Sequence, residues 1–433
     1  MPTLTATDVS RLLGRVAFGA TSTDLDTWTG RPYEDLVEVL LTADATAPLP
    51  DDAVRLTFQT GASLDESAAR AWWLERMRTT PFPLLERMTL LWHGHFATGI
   101  RYPPTLAHLV IQNQTLRAHA LGNVRTLVEV VNTDPAMLYW LNGVENAPPK
   151  SNENYAREFF ELFTLGKRPQ VYTETDIRQA AKAFTGWYVD GNNMAQFAAS
   201  RHNTKKKKVL GRTIDNLGAD EHKALADVAL DQPVAKKFLA YKLVANLAYL
   251  PSGNDALVNA VATAFTKNDW DVKAAVRTLL LHKDFRAASS TRRLVRSPVE
   301  CVVHAAKVLD VRIAGGDLPW ALEGMGQSLF DPVDVSGWPL GRDWVSPVTA
   351  IARYDAGLLL HRLATEAPQN AATPLPVAED TAGWTRRLGL TALSTNTKNA
   401  LGAYLRSAKK ATPYDRQAGV LTLLLSSPEW VVL

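Results

Sequence analysis

The residues that could do chemistry are most concentrated in the stretch from Asn152 to Trp187, NENYAREFFELFTLGKRPQVYTETDIRQAAKAFTGW. At about 100° per residue, a helix over its first half places Glu158, Glu161 and Arg157 within one polar arc. The opposite side is apolar and could be held in a core, so the carboxylates are expected to face outward. Two carboxylates beside a guanidinium could act as general acid or base and bind an anionic group.

The same polar arc also has an interpretation without chemistry. Glu153 and Arg157 form an i,i+4 pair of the kind that solvated helix faces use, worth a few tenths of a kcal/mol. Asn152 and Asn154 lie in the first turn, where an amide can cap the helix or orient a neighbour. We therefore name Asn152, Asn154 and Arg157 as candidate substrate-binding residues and leave a structural role open.

A pair of histidines ends another predicted helix, in the sequence His93-Gly94-His95. On an intact helix these two imidazoles lie about 200° apart and cannot share a metal ion. Gly94 weakens the helix there, and if the helix stops at Gly94, His95 is free to act as the acid–base partner of Glu158. Histidines bonded to backbone carbonyls at a helix end are the alternative.

Asn113 and Arg117 share one face of a helix predicted from Pro103 to Thr126. Both side chains are unusual in a mainly apolar run, and a buried amide or guanidinium must be paired. We predict that their partners are the carboxylates of the polar arc, which makes both residues candidates for substrate binding.

The segment after Trp187 changes in character and contains His202 and the lysine run Lys205–Lys208. Its glycines, asparagines and alternating residues predict a small β-hairpin. Four consecutive lysines usually form a solvated turn. The functional alternative is an anion-recognition arm in which Lys207 binds substrate and His202 takes part in acid–base chemistry.

A metal site is a variant of this hypothesis. Its candidate ligands are His93, His95, His202 and Glu158, a mixed nitrogen and oxygen set that would suit zinc, iron or manganese. A divalent cation is therefore left open as a cofactor. Trp338, in the Pro/Gly-rich loop DPVDVSGWPLGRDW, is predicted either to pack over a cleft and contact substrate or to plug the domain.

The elements that must position these residues are helices throughout most of the chain. We predict a mainly α fold, a single large multi-helix domain over residues 1–433, with the small β-hairpin inserted near 189–212. A division into parts 1–150 and 151–433 is an alternative. Residues 46–52 and 367–380 are predicted to be exposed linkers.

Composition excludes several classes of protein. The chain has 433 residues, 46% hydrophobic content and a net charge of +3, which is globular and too weakly basic to indicate a nucleic-acid partner. No membrane span and no signal peptide are visible, so a cytoplasmic location is expected. The single cysteine, Cys301, excludes an internal disulfide and is predicted to be a small buried hydrophobe. Dinucleotide fingerprints, P-loops, nucleophile elbows and H-E-x-x-H motifs are absent.

Several segments together carry a resemblance: RLLGRVAFGAT, ERMTLLWHGHFAT, NENYARE with ELFTLG, YTETDIRQAAKAFTGW, and FDPVDVSGWPLGRDW. In these segments the sequence resembles the bacterial family named domain of unknown function 1800, in order and over nearly its whole length. The resemblance implies a mostly helical protein whose relatives are often exported and often encoded beside a companion similar to sulfatases and alkaline phosphatases. Asn203 and the lysine run stand where the family pattern has an acidic residue and a glycine.

Two hypotheses of function follow. The first is an enzyme, a hydrolase, transferase or lyase, that acts on an anionic substrate through Glu158, Glu161, His95 and His202 as acid–base groups. The alternative is a non-catalytic helical partner or maturation factor for the sulfatase- or phosphatase-like companion, in which the polar cluster fixes helix register.

Overall fold

The computed structural model describes residues 3–43, 65–100, 105–287, 294–366 and 374–433. Its α-helices are α1 (Ala6–Val16), α2 (Ser22–Trp28), α3 (Tyr33–Leu41), α4 (Glu66–Thr79), α5 (Pro83–His95), α6 (Leu106–His119), α7 (Val124–Asn132), α8 (Pro135–Trp140), α9 (Asn154–Glu158), α10 (Glu174–Ala183), α11 (Glu221–Leu230), α12 (Pro233–Leu247), α13 (Ala256–Lys267), α14 (Val272–Leu281), α15 (Lys283–Arg286), α16 (Pro298–Leu309), α17 (Asp317–Gly324), α18 (Pro347–Glu366), α19 (Thr381–Arg387), α20 (Thr395–Ser407), α21 (Pro413–Leu425) and α22 (Pro428–Val431). The mainly α prediction is confirmed.

Strands occur, within the described residues, only between α10 and α11. They are β1 (Trp187–Val189), β2 (Ala195–Phe197), β3 (Lys207–Val209) and β4 (Arg212–Ile214). Two antiparallel pairs form, β1 with β2 and β3 with β4, the first pairing Tyr188 with Gln196 and the second Lys208 with Thr213. The predicted β insertion is therefore confirmed, as two small hairpins in place of one.

Local sequence signals explain where several helices begin. At the start of α10 the Thr173 hydroxyl accepts a hydrogen bond from Asp176 N at 3.2 Å, and Asp176 Oδ2 accepts one from Thr173 N at 2.8 Å. This is a reciprocal capping box, as the sequence predicts, with Asp in the position where Glu is usual. The same arrangement joins Thr21 and Asp24 at the start of α2.

One predicted helix boundary is wrong and another is confirmed. The helix predicted from Pro103 to Thr126 is two helices, α6 and α7, because Asn123 caps a new start by accepting a hydrogen bond from Arg125 N at 2.8 Å. The helix predicted to end in the sequence His93-Gly94-His95 does end there, at His95, so Gly94 does not stop it. A glycine inside a helix costs about 1 kcal/mol, which packing on both sides of α5 can outweigh.

The sequence predicts a regular α-helix after Asn152, but the helix is regular only in its first part, α9. After α9 it continues as a π-helical turn, Phe159–Thr164, in which Leu165 N donates to Phe160 O at 2.9 Å. The predicted apolar stripe is confirmed by the burial of Tyr155, Phe159, Phe160 and Phe163. Such turns are rare and often occur at functional sites.

Two groups of buried side chains form the core. One joins α1–α3 with the segment 155–285, and the other joins α4 with α16–α22. Helix α5 contributes to both, through Leu91 and Leu90 respectively, so its last turn lies where the two groups meet. Cys301 is buried, as predicted.

No helix in these described ranges is both long and apolar enough to span a bilayer. The predicted linker at 46–52 and residues 367–373 of the one predicted at 367–380 lie outside the described residues; in the described remainder Val377 is exposed and Ala378 is buried.

Candidate functional site

A cleft lies at the end of α5, between α12, the start of α16 and the loop 327–344. Its volume is about 70 Å³. At about 10–15 Å³ for each water measured in this way, the cleft holds about five waters or a group of similar size. Its polar lining is formed mainly by Arg87, His95, Lys242, Asn246, Glu300 and Gln327.

Lys242 is the cation of this cleft that has no counter-ion. Among the described residues no carboxylate lies within ion-pair distance of its Nζ, which sits 5.4 Å from the centroid of the Phe238 ring. Burial lowers the pKa of Lys242 because the charged form loses hydration. A partly desolvated ammonium without a partner is an unfavourable arrangement that a bound anion would relieve.

The other charged groups of the lining neutralise each other. Arg87 Nε lies 3.0 Å from Glu300 Oε1, and each side chain is 5% exposed. Arg87 Nη2 also donates to Asn246 O at 2.7 Å, and the other oxygen of Glu300 accepts from Ser297 N at 2.9 Å. The cleft therefore has two cations and one carboxylate, and the excess positive charge is that of Lys242.

His95 is a neutral group in this cleft. Its Nε2 lies 3.0 Å from Phe163 O, and because a carbonyl only accepts, Nε2 carries the proton. Burial lowers the pKa of His95 to about 3, and the charge of Lys242 acts in the same direction. Nδ1 is buried and has no hydrogen-bond partner in the described part of the chain. The acid–base role of His95 stays a prediction, and in this geometry the ring ties α5 to the π-helical turn.

His93 occupies a separate, closed environment. Its ring is fully buried among Trp73, Phe330 and Trp338, at centroid distances of 5.2, 5.8 and 5.2 Å, and neither nitrogen has a hydrogen-bond partner in the described part of the chain. Burial lowers the pKa of His93 to about 3. Trp338, predicted to contact substrate, lines the cleft on one side and covers His93 on the other.

Arg157 is at the centre of the polar arc and is surrounded by carboxylates. Its two terminal nitrogens donate to Glu174 at 2.9 and 2.7 Å, and it lies 3.6 Å from Glu161 and 3.8 Å from Glu153. The hydrogen bonds to Glu174 raise the pKa of Arg157. The predicted substrate-binding role of this guanidinium would have to compete with these partners.

Glu158 is the carboxyl group of the arc that has neither a hydrogen bond nor an ion pair among the described residues, whereas Glu153 and Glu161 each pair with Arg157. Burial raises the pKa of Glu158, and the charges of Glu161 and Asp334 add to that effect while Lys167 opposes it. Asp334 accepts a hydrogen bond from Ser336 N at 2.7 Å, and Ser336 lines the cleft. We call the group Glu158, Lys167 and Asp334 the rim.

The rim is connected to Lys242, a lining residue of the cleft, through Phe238. Gly166 packs so closely against that ring that a Cβ atom at Gly166 would be 3.0 Å from it, and the glycine has a φ of +80° that also favours a residue without a Cβ. The same ring lies beneath the Lys242 ammonium. Lys167 therefore follows a residue that packs against the same ring as Lys242.

Asn152 and Asn154 organise the entry to α9. Asn152 N donates to Asn146 Oδ1 at 2.9 Å, and Asn152 Oδ1 accepts from Asn154 N at 3.0 Å. Asn154 Nδ2 donates to Asn142 Oδ1 at 3.1 Å. Their substrate-binding role stays a prediction, and the contacts observed here are those of a helix start.

The predicted partners of Asn113 and Arg117 are wrong. Arg117 pairs with Glu86, not with the polar arc, through Nε to Oε1 at 2.5 Å and Nη2 to Oε2 at 3.0 Å. Arg76 contacts the same carboxylate. Glu86 is a carboxylate within the apolar helix α5, and that placement is the signal from which its buried role could have been predicted.

His202 and Lys207 meet a carboxylate that the sequence reasoning missed, Glu221. His202 Nε2 lies 3.1 Å from Glu221 Oε1 and its Nδ1 lies 2.9 Å from Thr185 O. Lys207 Nζ lies 2.8 and 2.6 Å from the two Glu221 oxygens, and its side chain is fully buried. The predicted anion-binding arm is therefore wrong for Lys207, whereas the other lysines of the run are exposed, as in a solvated turn.

The proposed metal ligands are dispersed. His93 lies in an aromatic cage, His95 at the cleft, Glu158 at its rim, and His202 beside Glu221. Within the described ranges, no three His, Cys, Asp or Glu side chains lie together as metal ligands would. The sequence analysis named neither Lys242 nor Arg87. The signal that could have identified Lys242 is its position as a charged residue within the apolar run of α12.

Comparison with known proteins gives one match. A family model covers residues 11–432, nearly the whole chain, and its description reads "Protein of unknown function (DUF1800)". No curated protein and no solved structure matches the chain.

Proposed function

We propose that this chain, which belongs to the DUF1800 family, binds a small anionic ligand in the cleft and acts on it as an enzyme. Lys242 holds the anionic group, and Glu158 at the rim supplies or accepts a proton. The single observation that supports the proposal most directly is the Lys242 ammonium, which has no carboxylate partner among the described residues, in a cleft whose other charges cancel. A companion enzyme is not required for either step.

Lys242 suits the binding role because its environment is only partly hydrated. An ammonium in such a site attracts an anion more strongly than a solvated surface lysine does, since the effective dielectric is lower. The cleft is also of a size for a group of about five non-hydrogen atoms, such as a phosphate, a sulfate or a carboxylate.

Glu158 suits the proton-transfer role because its pKa is raised by burial and by Glu161. A carboxyl group with a raised pKa is protonated for a larger fraction of the time near neutral pH, which is what a general acid needs. A bound anion and a carboxyl group are parts that hydrolases, transferases and lyases all use. Glu161, His95 and His202 are the further acid–base candidates from the sequence.

The binding step is tested by isothermal titration of the full chain with inorganic phosphate and, separately, acetate. Replacing Lys242 with Met should weaken phosphate binding at least about tenfold, because about 1.4 kcal/mol or more of ion-pair energy is lost. Lys237→Met is the matched control, since Lys237 is an exposed lysine on the same helix. Equal affinity of Lys242→Met and the unaltered chain would overturn the proposal.

The catalytic step is tested with chromogenic aryl phosphate and aryl sulfate esters. Glu158→Gln should reduce turnover about 10²-fold or more while phosphate affinity stays within about twofold, because a general acid acts in the transition state and not in ground-state binding. Glu145→Gln on a neighbouring 3₁₀ turn is the control. Turnover that is unaffected by Glu158→Gln removes that residue from the mechanism and leaves the binding site standing.

A second candidate function, a helical partner for a sulfatase- or phosphatase-like companion, is favoured by the outer face of α18. Val348, Ile351, Tyr354 and Leu358 are exposed there and form an apolar stripe at helical spacing. Ile351→Glu should abolish co-elution with a purified companion from the same gene neighbourhood, whereas Val39→Glu, at an exposed site on α3, should not. Identical elution of both variants would remove this candidate.

A further inference from the structure

Three buried polar groups that have no hydrogen-bond partner among the described residues lie beside an ion cluster between α4 and α6. They are Trp72 Nε1, Arg76 Nη1 and the side-chain amide of Asn113. Asn113 is fully buried, Arg76 is 4% exposed and Trp72 is 8% exposed. Unpaired buried polar groups are rare in native proteins, and the N–H groups of Trp72, Arg76 and Asn113 each call for an acceptor, whereas Asn113 Oδ1 calls for a donor.

The three groups belong to two helix faces that meet at Glu86. Trp72 and Arg76 lie one turn apart on α4, and Asn113 and Arg117 lie one turn apart on α6, so each pair shares a helix face. Glu86 contacts both Arg76 and Arg117, which turns the two faces toward each other. Arg117 Cζ is also 5.8 Å from the centroid of the Trp72 ring.

Charge distinguishes this cluster from an ordinary buried polar network. It contains two guanidinium groups and one carboxylate, so the described residues leave it with one excess positive charge. The Glu86 oxygens already accept from Arg76 Nε, Arg117 Nε, Arg117 Nη2 and, at 3.2 Å, Trp73 Nε1. The carboxylate therefore has no capacity left for Arg76 Nη1 or Trp72 Nε1.

We propose that a small monovalent anion, of the size of chloride, binds between α4 and α6 and accepts hydrogen bonds from Arg76 Nη1, Trp72 Nε1 and the Asn113 amide. The excess positive charge favours an anion over water, because the low dielectric strengthens its attraction to two guanidinium groups. The donors are closed to solvent, which favours a halide-sized ion over phosphate or a larger carboxylate. This site is distinct from the cleft and does not depend on the function proposed for it.

Anomalous scattering locates the ion directly. Crystals of the full chain grown or soaked in bromide should show an anomalous peak within about 3.2–3.6 Å of Arg76 Nη1 and Trp72 Nε1, slightly longer than an ordinary N–H···O hydrogen bond. A water-sized peak without anomalous signal at this position would overturn the proposal, because it would mean that water alone satisfies the donors.

A solution experiment uses variants that keep the ion cluster. The melting temperature of the unaltered chain should be about 2 °C higher in sodium chloride than in sodium gluconate at equal ionic strength, since ligand binding to the native state raises the free energy of unfolding. Trp72→Phe and Asn113→Leu should each remove most of this difference, whereas Trp320→Phe, at an exposed tryptophan, should keep it.

Lys242→Met separates this site from the cleft. The chloride difference should persist in Lys242→Met, because the cleft is not involved. A chloride effect that is lost in Lys242→Met and kept in Trp72→Phe would belong to the cleft and would overturn the proposed site. Equal melting temperatures of the unaltered chain in both salts would do the same.

Discussion

Lys207 and Lys242 are both withdrawn from solvent, and burial lowers the pKa of each, yet their surroundings differ in one respect. Lys207 meets both oxygens of Glu221, which also contacts His202. Lys242 meets no carboxylate among the described residues and faces a cleft. A buried cation with a dedicated carboxylate holds the fold together, whereas one without a counter-ion is available to a ligand.

The largest expected effect on stability comes from removing the carboxylate that pairs with Lys207. Glu221→Ala should lower the free energy of unfolding by about 3–5 kcal/mol, because Lys207 is left as an uncompensated buried charge. Urea denaturation followed by circular dichroism measures this change. The double replacement Glu221→Leu with Lys207→Met should recover most of the loss, since neither charge then needs a partner.

The control for that prediction is an ion pair in water. Lys206 and Asp215 lie 2.7 Å apart, with side chains 76% and 64% exposed. Asp215→Ala should leave the unfolding midpoint unchanged, because solvent screens an exposed pair. If Glu221→Ala were as mild as Asp215→Ala, the contrast between the two lysines would have no energetic meaning.

His93 and His95 are each expected to lower the free energy of unfolding by about 3 kcal/mol when the pH falls from about 7 to about 4. Their pKa of about 3 in the folded chain lies below the ordinary value of 6.5. The unfolded chain therefore binds more protons in this interval, so the stabilisation is complete above about pH 6.5 and is lost as the pH falls toward 3.

The measurement is urea denaturation at both pH values. His93→Phe should reduce the difference in the free energy of unfolding by about 3 kcal/mol, because phenylalanine takes up no proton. His282→Asn is the control, since His282 caps α15 and asparagine can take over that role. An unchanged pH dependence in His93→Phe would mean that this ring is hydrated and not enclosed.

The smallest expected effect is a change in the free energy of unfolding that has opposite signs for the two lysines. Lys242→Met should raise the free energy of unfolding by about 1 kcal/mol while anion binding is lost, since an unpaired desolvated charge is replaced by an apolar side chain. Lys207→Met should lower it, because Glu221 loses its cation. Thermal denaturation of both variants in a buffer without phosphate gives the two signs, and equal signs would contradict the comparison.

The sequence predicted the helices and their start signals better than the partners of polar side chains. The capping box at Thr173 and Asp176 and the burial of the aromatic stripe in 155–163 were predictable because they depend on residues three or four positions apart. The π-helical turn was not, because a 3.6-residue period and an apolar stripe do not distinguish it from a regular helix.

The candidate site was predicted only in part. His95, Trp338 and Glu158 were named from their types, and they lie at the cleft or its rim. Lys242 was missed because the sequence of its helix is mainly apolar and was assigned to the core. The partner of His202, Glu221, was not predicted because it is 19 positions away in the sequence and lies on a helix.

By itself the sequence determined a mainly helical fold, the family, and which residue types could bind an anion or move a proton. These depend on composition, on periodicity and on motifs read along the chain. Only the tertiary structure decided which carboxylate each cation meets: Glu86 for Arg117, Glu221 for Lys207, Glu300 for Arg87, and none in the described ranges for Lys242. Ion pairing falls off within a few ångströms, and residues distant in sequence reach that separation only through packing.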